Sequence, residues 1–331
     1  MDMCDDLISV IIPVYNEERN IRALAEKLLE HLHGENLEII FVDDGSQDAS
    51  LSVLRELSAH PSIRYVSFSR NFGHQCALKA GFDFAEGDCA ITMDGDLQHP
   101  VELVPHMIAM WRSGADVVHS RRREAASSSW FKKITTYWYY KIFSWCASVS
   151  IEPGTADFRL LDRKIVDMCK TTQDDALFWR GFIPWLGFRQ EFLDYESHPR
   201  AHGASRYTLK KMVRLAWTGI ASFSMAPLRM ASTLGALGLL GGMLYFCYIL
   251  WLNIYGAAVP GWSSLMMTLL FFSAVQLLCL GVLGEYIGKI YMGAKRRPHY
   301  ILRETSPHAD QKRGRAVCIG GKYTRISSDM P

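Results

Sequence analysis

The sequence predicts an α/β domain with a mostly parallel sheet, followed by interfacial helices and a C-terminal two-helix transmembrane hairpin. Three observations carry this. Short β-branched apolar runs alternate with helix-spaced patterns through the first third of the chain. Each run closes in a polar loop. From Met230 through Gly284 there is no Asp, Glu, Lys, Arg or His.

The elements follow in order. Leu7–Val14 (LISVIIPV) is a buried strand, ended by Pro13 and Asn16. Apolar residues at Ile21, Leu24, Ala25, Leu28 and Leu32 recur at helical spacing, predicting a helix over Glu18–Leu32. Leu37–Val42 is a second strand and Ser50–Leu57 a helix. Ile63–Phe68 is a third strand, followed by a helix over Gln75–Ala85. Cys89–Met93 is a fourth strand, Val101–Arg112 a helix, and Ala115–His119 a fifth strand. Strands apolar on both faces and separated by helices predict a largely parallel sheet covered on both sides. In such sheets ligands sit at the carboxyl ends of the strands. The loops there are PVYNE, DDGS, SRNFGH and DGDLQHP.

Ala125–Ile151 holds no acid, and carries Trp130, Phe131, Tyr137, Trp138, Tyr139, Tyr140, Phe143 and Trp145 beside three lysines. Rings at headgroup level with lysines toward phosphates suit an interfacial helix better than an aromatic core helix. The stretch 197–229 has the same character. Two spans are expected, at about 231–252 and 264–283, joined by a turn with Gly256 and Pro260. Basic residues on both outer flanks place the flanks, the α/β part and both termini on the cytoplasmic side. A buried soluble hairpin is the alternative, and 55 residues without a charge disfavour it. The expected division is 1–125 for the α/β part, 126–229 for the part with amphipathic interfacial helices, 230–290 for the hairpin, and 291–331 as a basic cytoplasmic tail, loose beyond Tyr300.

Formal charge is +2, from 36 basic and 34 acidic residues, too balanced for a nucleic-acid binder. The sum conceals segregation: from Glu285 onward there are ten basic and four acidic residues. Eight cysteines form no CxxC pair, which argues against a disulfide framework or zinc site. The opening MDMCDDLISV has three acids and no basic n-region, so no secretory leader is expected.

Asp94-Gly95-Asp96 follows a buried strand, so two hard carboxylates at i and i+2 can face one site. That chemistry suits Mg²⁺ or Mn²⁺ and, through it, a diphosphate. Alone the motif is weak, because Asp and Gly also form turns. A second acidic strand end, Asp43-Asp44-Gly45-Ser46, strengthens it. No GxxxxGK[ST] or GxGxxG occurs.

Six motifs occur in order: PVYNE (13–17), VDDGS (42–46), SRNFGHQ (69–75), MDGDLQHP (93–100), GTADFRLLDR (154–163) and HPRAHGASRY (198–207). Together with the hairpin they resemble the family 2 glycosyltransferases of GT-A, Rossmann-like fold, and more narrowly the polyprenyl-phosphate glycosyltransferases. The resemblance covers about Ser9 to Arg297. It implies that Pro13, Tyr15, Glu17 and Asp43 hold the base and ribose of a nucleotide sugar, with Asp94 near ribose, diphosphate or sugar. Asp96 and Gln98 would bind Mg²⁺ or Mn²⁺ with the diphosphate. Asp157 would be a base or a positioner. Arg121, Arg200, Ser205 and Arg206 would clamp phosphates, with Tyr207 nearby. The family's MDADLQ reads MDGDLQ here, and many relatives carry Lys at Arg206.

The implied reaction is inverting transfer of a hexose, with glucose from UDP-glucose as the leading case, to undecaprenyl or another polyprenyl phosphate. GDP-mannose or a UDP-amino-arabinose are alternative donors, and a non-catalytic scaffold is the alternative class. No QxxRW string occurs, which weakens a processive synthase. The resemblance also implies a homo-oligomer, such as a tetramer.

Overall fold

The computed structural model describes residues 6–122, 154–172, 177–195, 226–254, 261–295, 297–307, 316–319 and 322–325. They fall into two compact units, one drawn from 1–140, 149–207 and 296–331, the other from 141–148 and 208–295. The expected helix over 125–151 and the basic stretch 197–225 lie outside the described residues.

The first unit is a three-layer α/β domain. Its strands are β1 (Leu7–Val14), β2 (Asn36–Asp43), β3 (Ile63–Phe68), β4 (Cys89–Thr92), β5 (Val117–Arg122), β6 (Thr155–Asp162), β7 (Gln190–Tyr195) and β8 (Leu302–Thr305). They form one sheet in the order β7-β5-β6-β4-β1-β2-β3-β8. The centre is parallel, with β1 between β2 and β4 and β3 beyond β2. Helices α1 (Ile21–His31), α2 (Ser50–Leu57), α3 (His74–Phe84) and α4 (Val104–Arg112) connect these strands, as the spacing predicts. α5 (Arg163–Thr171) and α6 (Trp179–Trp185) come later.

Both faces of the sheet are buried because β1 carries apolar side chains on both, with Ser9 the one polar residue in the strand. Ile8, Val10, Ile12 and Val14 enter the core that includes Ile21, Leu24 and Leu28 of α1. Ile11 enters the opposite core, with Ala77, Ala80 and Phe82 of α3. There α3 lies so close that a Cβ on Gly81 would stand 2.1 Å from Ile11 Cγ2, so only glycine fits.

Two features refine the sequence expectation. The sheet is antiparallel where β6 meets β4 and β5, and where β8 meets β3. The expected loose tail also begins differently. Leu302–Thr305 is a sheet strand, and Tyr300 is buried beneath it. The structure places the segment's few apolar and hydrogen-bonding groups at an otherwise open sheet edge, which is where a short strand gains most.

The second unit contains α7 (Ala226–Ile254) and α8 (Trp262–Ala294), longer than the two expected spans. Their described apolar side chains are largely exposed, among them Leu240, Leu244, Leu269 and Leu277. Phe271–Ala294 is long and apolar enough to cross a membrane, and Ala231–Tyr245 is a shorter apolar stretch. Gly238 comes within van der Waals reach of Phe272, so the two helices approach closely where the sequence is small.

Candidate active site

The parallel strands β1, β2 and β4 all end at one edge of the sheet. β6 runs antiparallel to β4, pairing Thr92 with Arg159, so its beginning lies at that same edge. Two residues after Thr92 comes Asp94, and two residues before Arg159 lies Asp157. This register brings together two carboxylates 63 positions apart in sequence. Thr92 Oγ1 fastens the junction by donating to the Asp157 carbonyl (2.5 Å).

Asp157 is buried and bound by two arginines. Arg159 Nη2 donates to its Oδ1 (2.8 Å). Arg180, from the start of α6, donates through Nε to Oδ1 (3.0 Å) and through Nη2 to Oδ2 (2.8 Å). Burial raises the Asp157 pKa, but Arg180, His74 and Arg159 outweigh it and hold the carboxyl well below its usual range. The two arginines differ: the Arg159 side chain is 3 % exposed and that of Arg180 41 %. The trio carries one surplus positive charge, on the arginine that faces outward.

His74, the first residue of α3, bridges the carboxylates. Its Nε2 lies 3.6 Å from Asp94 Oδ1 and 3.6 Å from Asp157 Oδ2. Burial lowers the imidazole pKa, yet Asp157 and Asp94 more than offset this, and the net shift is upward. His99 Nε2 is 3.8 Å from Asp94 Oδ2, and its Nδ1 accepts from the Asp94 amide (3.1 Å). Stacking on Phe158 fixes the ring (centroids 5.0 Å apart).

The loop after β4 turns tightly, with Leu97 at φ +59° and Asp96 Oδ1 accepting from the Gln98 amide (3.1 Å). Asp94, Asp96 and Gln98 are each partly exposed. No group of three or more His, Cys, Asp or Glu converges as a metal cage among the described residues. One or two carboxylates and an amide oxygen, completed by diphosphate and water, is a donor set that Mg²⁺ or Mn²⁺ accepts, so these residues fit such an ion.

The neighbouring loops are stitched to one another. Asp43 accepts from the Ser46 amide (2.9 Å) and Ser67 Oγ (2.7 Å). Asp44 accepts from the amides of Phe72 (2.7 Å) and Gly73 (3.0 Å). Gly45, at φ +71°, lets the 69–73 loop cross above: a Cβ would lie 2.5 Å from the Arg70 carbonyl carbon. Asn16 takes φ +57° and joins the first loop to the second, donating its amide to Ser46 Oγ and accepting from the Gln47 amide.

Of the residues singled out in the sequence, the structure gathers Asp43, Asp94, Asp96, Gln98 and Asp157 at one sheet edge. Tyr15 is 42 % exposed there, and the Glu17 carboxylate takes the Asn20 amide. Pro13 is buried inside β1, opposite Val42. Arg121 lies level with Thr155, but its guanidinium is paired with Asp194 through Nε (2.6 Å) and Nη2 (3.2 Å). Arg200, Ser205, Arg206 and Tyr207 lie outside the described residues. His74, Arg159 and Arg180 were not assigned roles. Arg159 could have been found, since two residues on from Asp157 along a strand is the same face. Arg180 sits in no sequence pattern that marks it.

A sheet with acids and their arginine partners at the carboxyl ends of its parallel strands has the layout of an α/β enzyme. Residues 9–171 match the family described as Glycosyl transferase family 2, and residues 226–290 match the GtrB C-terminal hairpin. The chain is 42 % identical over 301 residues to the glycosyltransferase YkcC of Bacillus subtilis, covering 90 % of this chain and 93 % of that one. It is 38 % identical over 305 residues to the bactoprenol glucosyl transferase of Shigella phage SfII, covering 90 % and 98 %. Among solved structures it is similar to glucosyl-3-phosphoglycerate synthase from Mycobacterium tuberculosis in complex with Mn²⁺ and UDP (20 % identity, TM-score 0.44, 66 % and 77 % covered). The chain belongs to glycosyltransferase family 2, and is a membrane-associated glycosyltransferase of GT-A fold.

Proposed function

We propose that the enzyme transfers glucose from UDP-glucose to a polyprenyl phosphate, such as undecaprenyl phosphate, at the cytoplasmic face of the membrane. The observation that carries the reading is end-to-end similarity to bactoprenol glucosyl transferases, 37–38 % identical over 98 % of their length. The site chemistry supports it. A phosphomonoester has a second pKa of about 6, so much of the acceptor is dianionic at neutral pH and attacks the anomeric carbon unaided by a strong base. Asp157, held far below its usual range, is accordingly a standing anion that orients Arg180 rather than a proton acceptor. Arg180 and His74 offset the phosphate charge that accumulates beside Asp94.

Attack opposite the departing nucleoside diphosphate inverts the anomeric configuration. Tyr15, Glu17 and Asp43 recognise the nucleoside, with Pro13 in their support. Asp96 and Gln98, beside Asp94, would hold Mg²⁺ or Mn²⁺, which when bound neutralises the leaving diphosphate. Arg121, Arg200, Ser205, Arg206 and Tyr207 serve the phosphates. The two apolar helices cross the bilayer with both flanks cytoplasmic, and the enzyme works as a homo-oligomer. Holding the domain at the headgroups is required, since extracting a polyprenyl chain costs about 0.8 kcal/mol per CH₂.

The test is a panel of labelled nucleotide sugars given to the purified full chain with undecaprenyl phosphate and Mg²⁺ or Mn²⁺. Label from UDP-glucose is expected in the butanol phase. Label from GDP-mannose or a UDP-amino sugar alone redirects the donor, and label from none of them overturns the reading.

A further inference from the structure

Tyr300 lies six residues beyond Ala294, the end of the second apolar helix, and is 4 % exposed in the catalytic domain. Its ring stacks on Phe68 (5.0 Å, 14°), and Phe68 meets Phe72 edge-on (5.7 Å). Its hydroxyl donates to Asp83 Oδ2 (2.9 Å). Asp83 in turn pairs with Lys79 (2.7 Å), and both are buried on α3. The Ile301 carbonyl accepts from the Ser69 amide (2.9 Å) at the start of the loop that leads to His74. The first turn of α3 then reaches the reacting carboxylates by two routes. His74 bridges Asp94 and Asp157. Gln75 accepts from the Trp179 amide through Oε1 (3.1 Å) and from Trp179 Nε1 through its carbonyl (3.0 Å), and the next residue, Arg180, grips Asp157.

We propose that Tyr300 is a positioning residue for sugar transfer. Through the Lys79–Asp83 pair on the later turns of α3 and the Phe68–Phe72 contact on the loop that enters it, the segment that follows the hairpin holds α3, and with it His74 and Arg180, in register with Asp157. The last membrane-proximal segment is thus built into the catalytic site rather than trailing from it. An anchor whose only task is attachment needs no tyrosine stacked and hydrogen-bonded under the active-site loop. A second clamp on the same segment makes a control: Arg55 on α2 binds Glu304 through Nε (2.8 Å) and Nη2 (2.7 Å), remote from α3.

The kinetic arm of the test rests on the proposed glucosyl transfer; the exchange arm does not. Full-length Tyr300→Phe keeps the stack and removes one hydrogen bond to a buried charged pair. Amide exchange should quicken about tenfold across 70–77 and 179–182, with 21–31 unchanged. In glucosyl transfer kcat should fall about tenfold with little change in donor KM. Arg55→Met should leave kcat and exchange across 70–77 at wild-type values. Should Tyr300→Phe fail to accumulate, Phe68→Leu, which weakens the stack and the Phe72 contact but keeps the Tyr300 hydrogen bond, takes its place with the same expected pattern. Unchanged exchange across 70–77, or equal losses of kcat in the Tyr300 and Arg55 variants, overturns the proposal. If the wild type transfers no glucose, the functional reading fails while the exchange comparison still decides this one.

Discussion

At the end of β2, Asp43 and Asp44 are held by backbone amides and a serine hydroxyl. Where β4 meets β6, Asp94 and Asp157 are held by His74, Arg159 and Arg180. Both pairs lie at one edge of the same sheet. The titration shifts expose the difference. Asp44 is raised, because burial outweighs the amides that solvate it. Asp157 is lowered, because cations outweigh a deeper burial. Amides shape a loop around a charge, whereas cations keep that charge available and add their own. Under the proposed function, the first region is the frame of the nucleotide pocket, and the second is where charge is spent on the transfer.

The largest effect should come from breaking the second region. Asp157→Asn leaves Arg159 buried without its counter-charge, which costs about 3–5 kcal/mol of stability. Thermal unfolding of the purified chain measures this, and transfer should be lost with it. An unchanged melting temperature would show that Arg159 finds another partner. The depressed pKa adds a sign: the stabilisation from Asp157 is present above its unfolded pKa of about 3.9 and is lost as pH falls through its lower folded value. The rate profile should therefore show no limb from Asp157 at neutral pH.

Asp94→Asn separates chemistry from folding in that same region. Its side chain is 39 % exposed and its imidazole neighbours stand 3.6 and 3.8 Å away, so stability should hold within about 0.5 kcal/mol. Activity should drop about 10²–10³-fold, the usual size for one electrostatic group at a reacting centre. A stable variant with full activity would remove Asp94 from the site.

The first region breaks through its backbone. Gly45→Ala places a methyl at φ +71° and 2.5 Å from the Arg70 carbonyl carbon. About 2–3 kcal/mol of stability should go, and donor KM should rise more than kcat falls, because the loop displaced is a binding frame. Equal effects on KM and kcat would erase the distinction between the regions.

How much of this the sequence carried can be read from those same residues. The strands β1 to β4 and their helices were legible because burial on both faces demands unbroken apolar runs, and α1 shows the 3.6-residue period cleanly at Ile21, Leu24 and Leu28. The acids were legible as residue types at strand ends. Their neutralising partners were not. Arg180 reaches Asp157 only because α6 packs Trp179 against α3, a tertiary event with no local pattern. β8 was missed for a related reason: four residues, LRET, have no periodicity, and their strand character comes from an open edge at β3. Arg121 shows the converse, since an arginine that the family resemblance assigns to phosphate is engaged by Asp194, a residue in no motif.

The smallest predicted effect is the sharpest test of what holds the first region. Asp44→Asn keeps one oxygen to accept from the Phe72 and Gly73 amides and removes a charge that burial penalises, so at pH 7 stability should change by less than about 1 kcal/mol. The pH dependence of that small difference carries the argument. Because the folded pKa of Asp44 is raised, its contribution is fully present below the unfolded value and is lost as pH rises through the folded one. The asparagine has nothing to lose. The variant should therefore compare better with the wild type at pH 7 than at pH 4. His119, buried and pushed down to about 3 by desolvation and by Arg159, is common to both proteins. It makes each of them less stable below about 6.5, where the unfolded imidazole takes up a proton, and it cancels in the difference. A difference that stays flat with pH would mean that the amides of the 69–73 loop solvate Asp44 as well as water does. The two acidic regions would then differ in geometry alone.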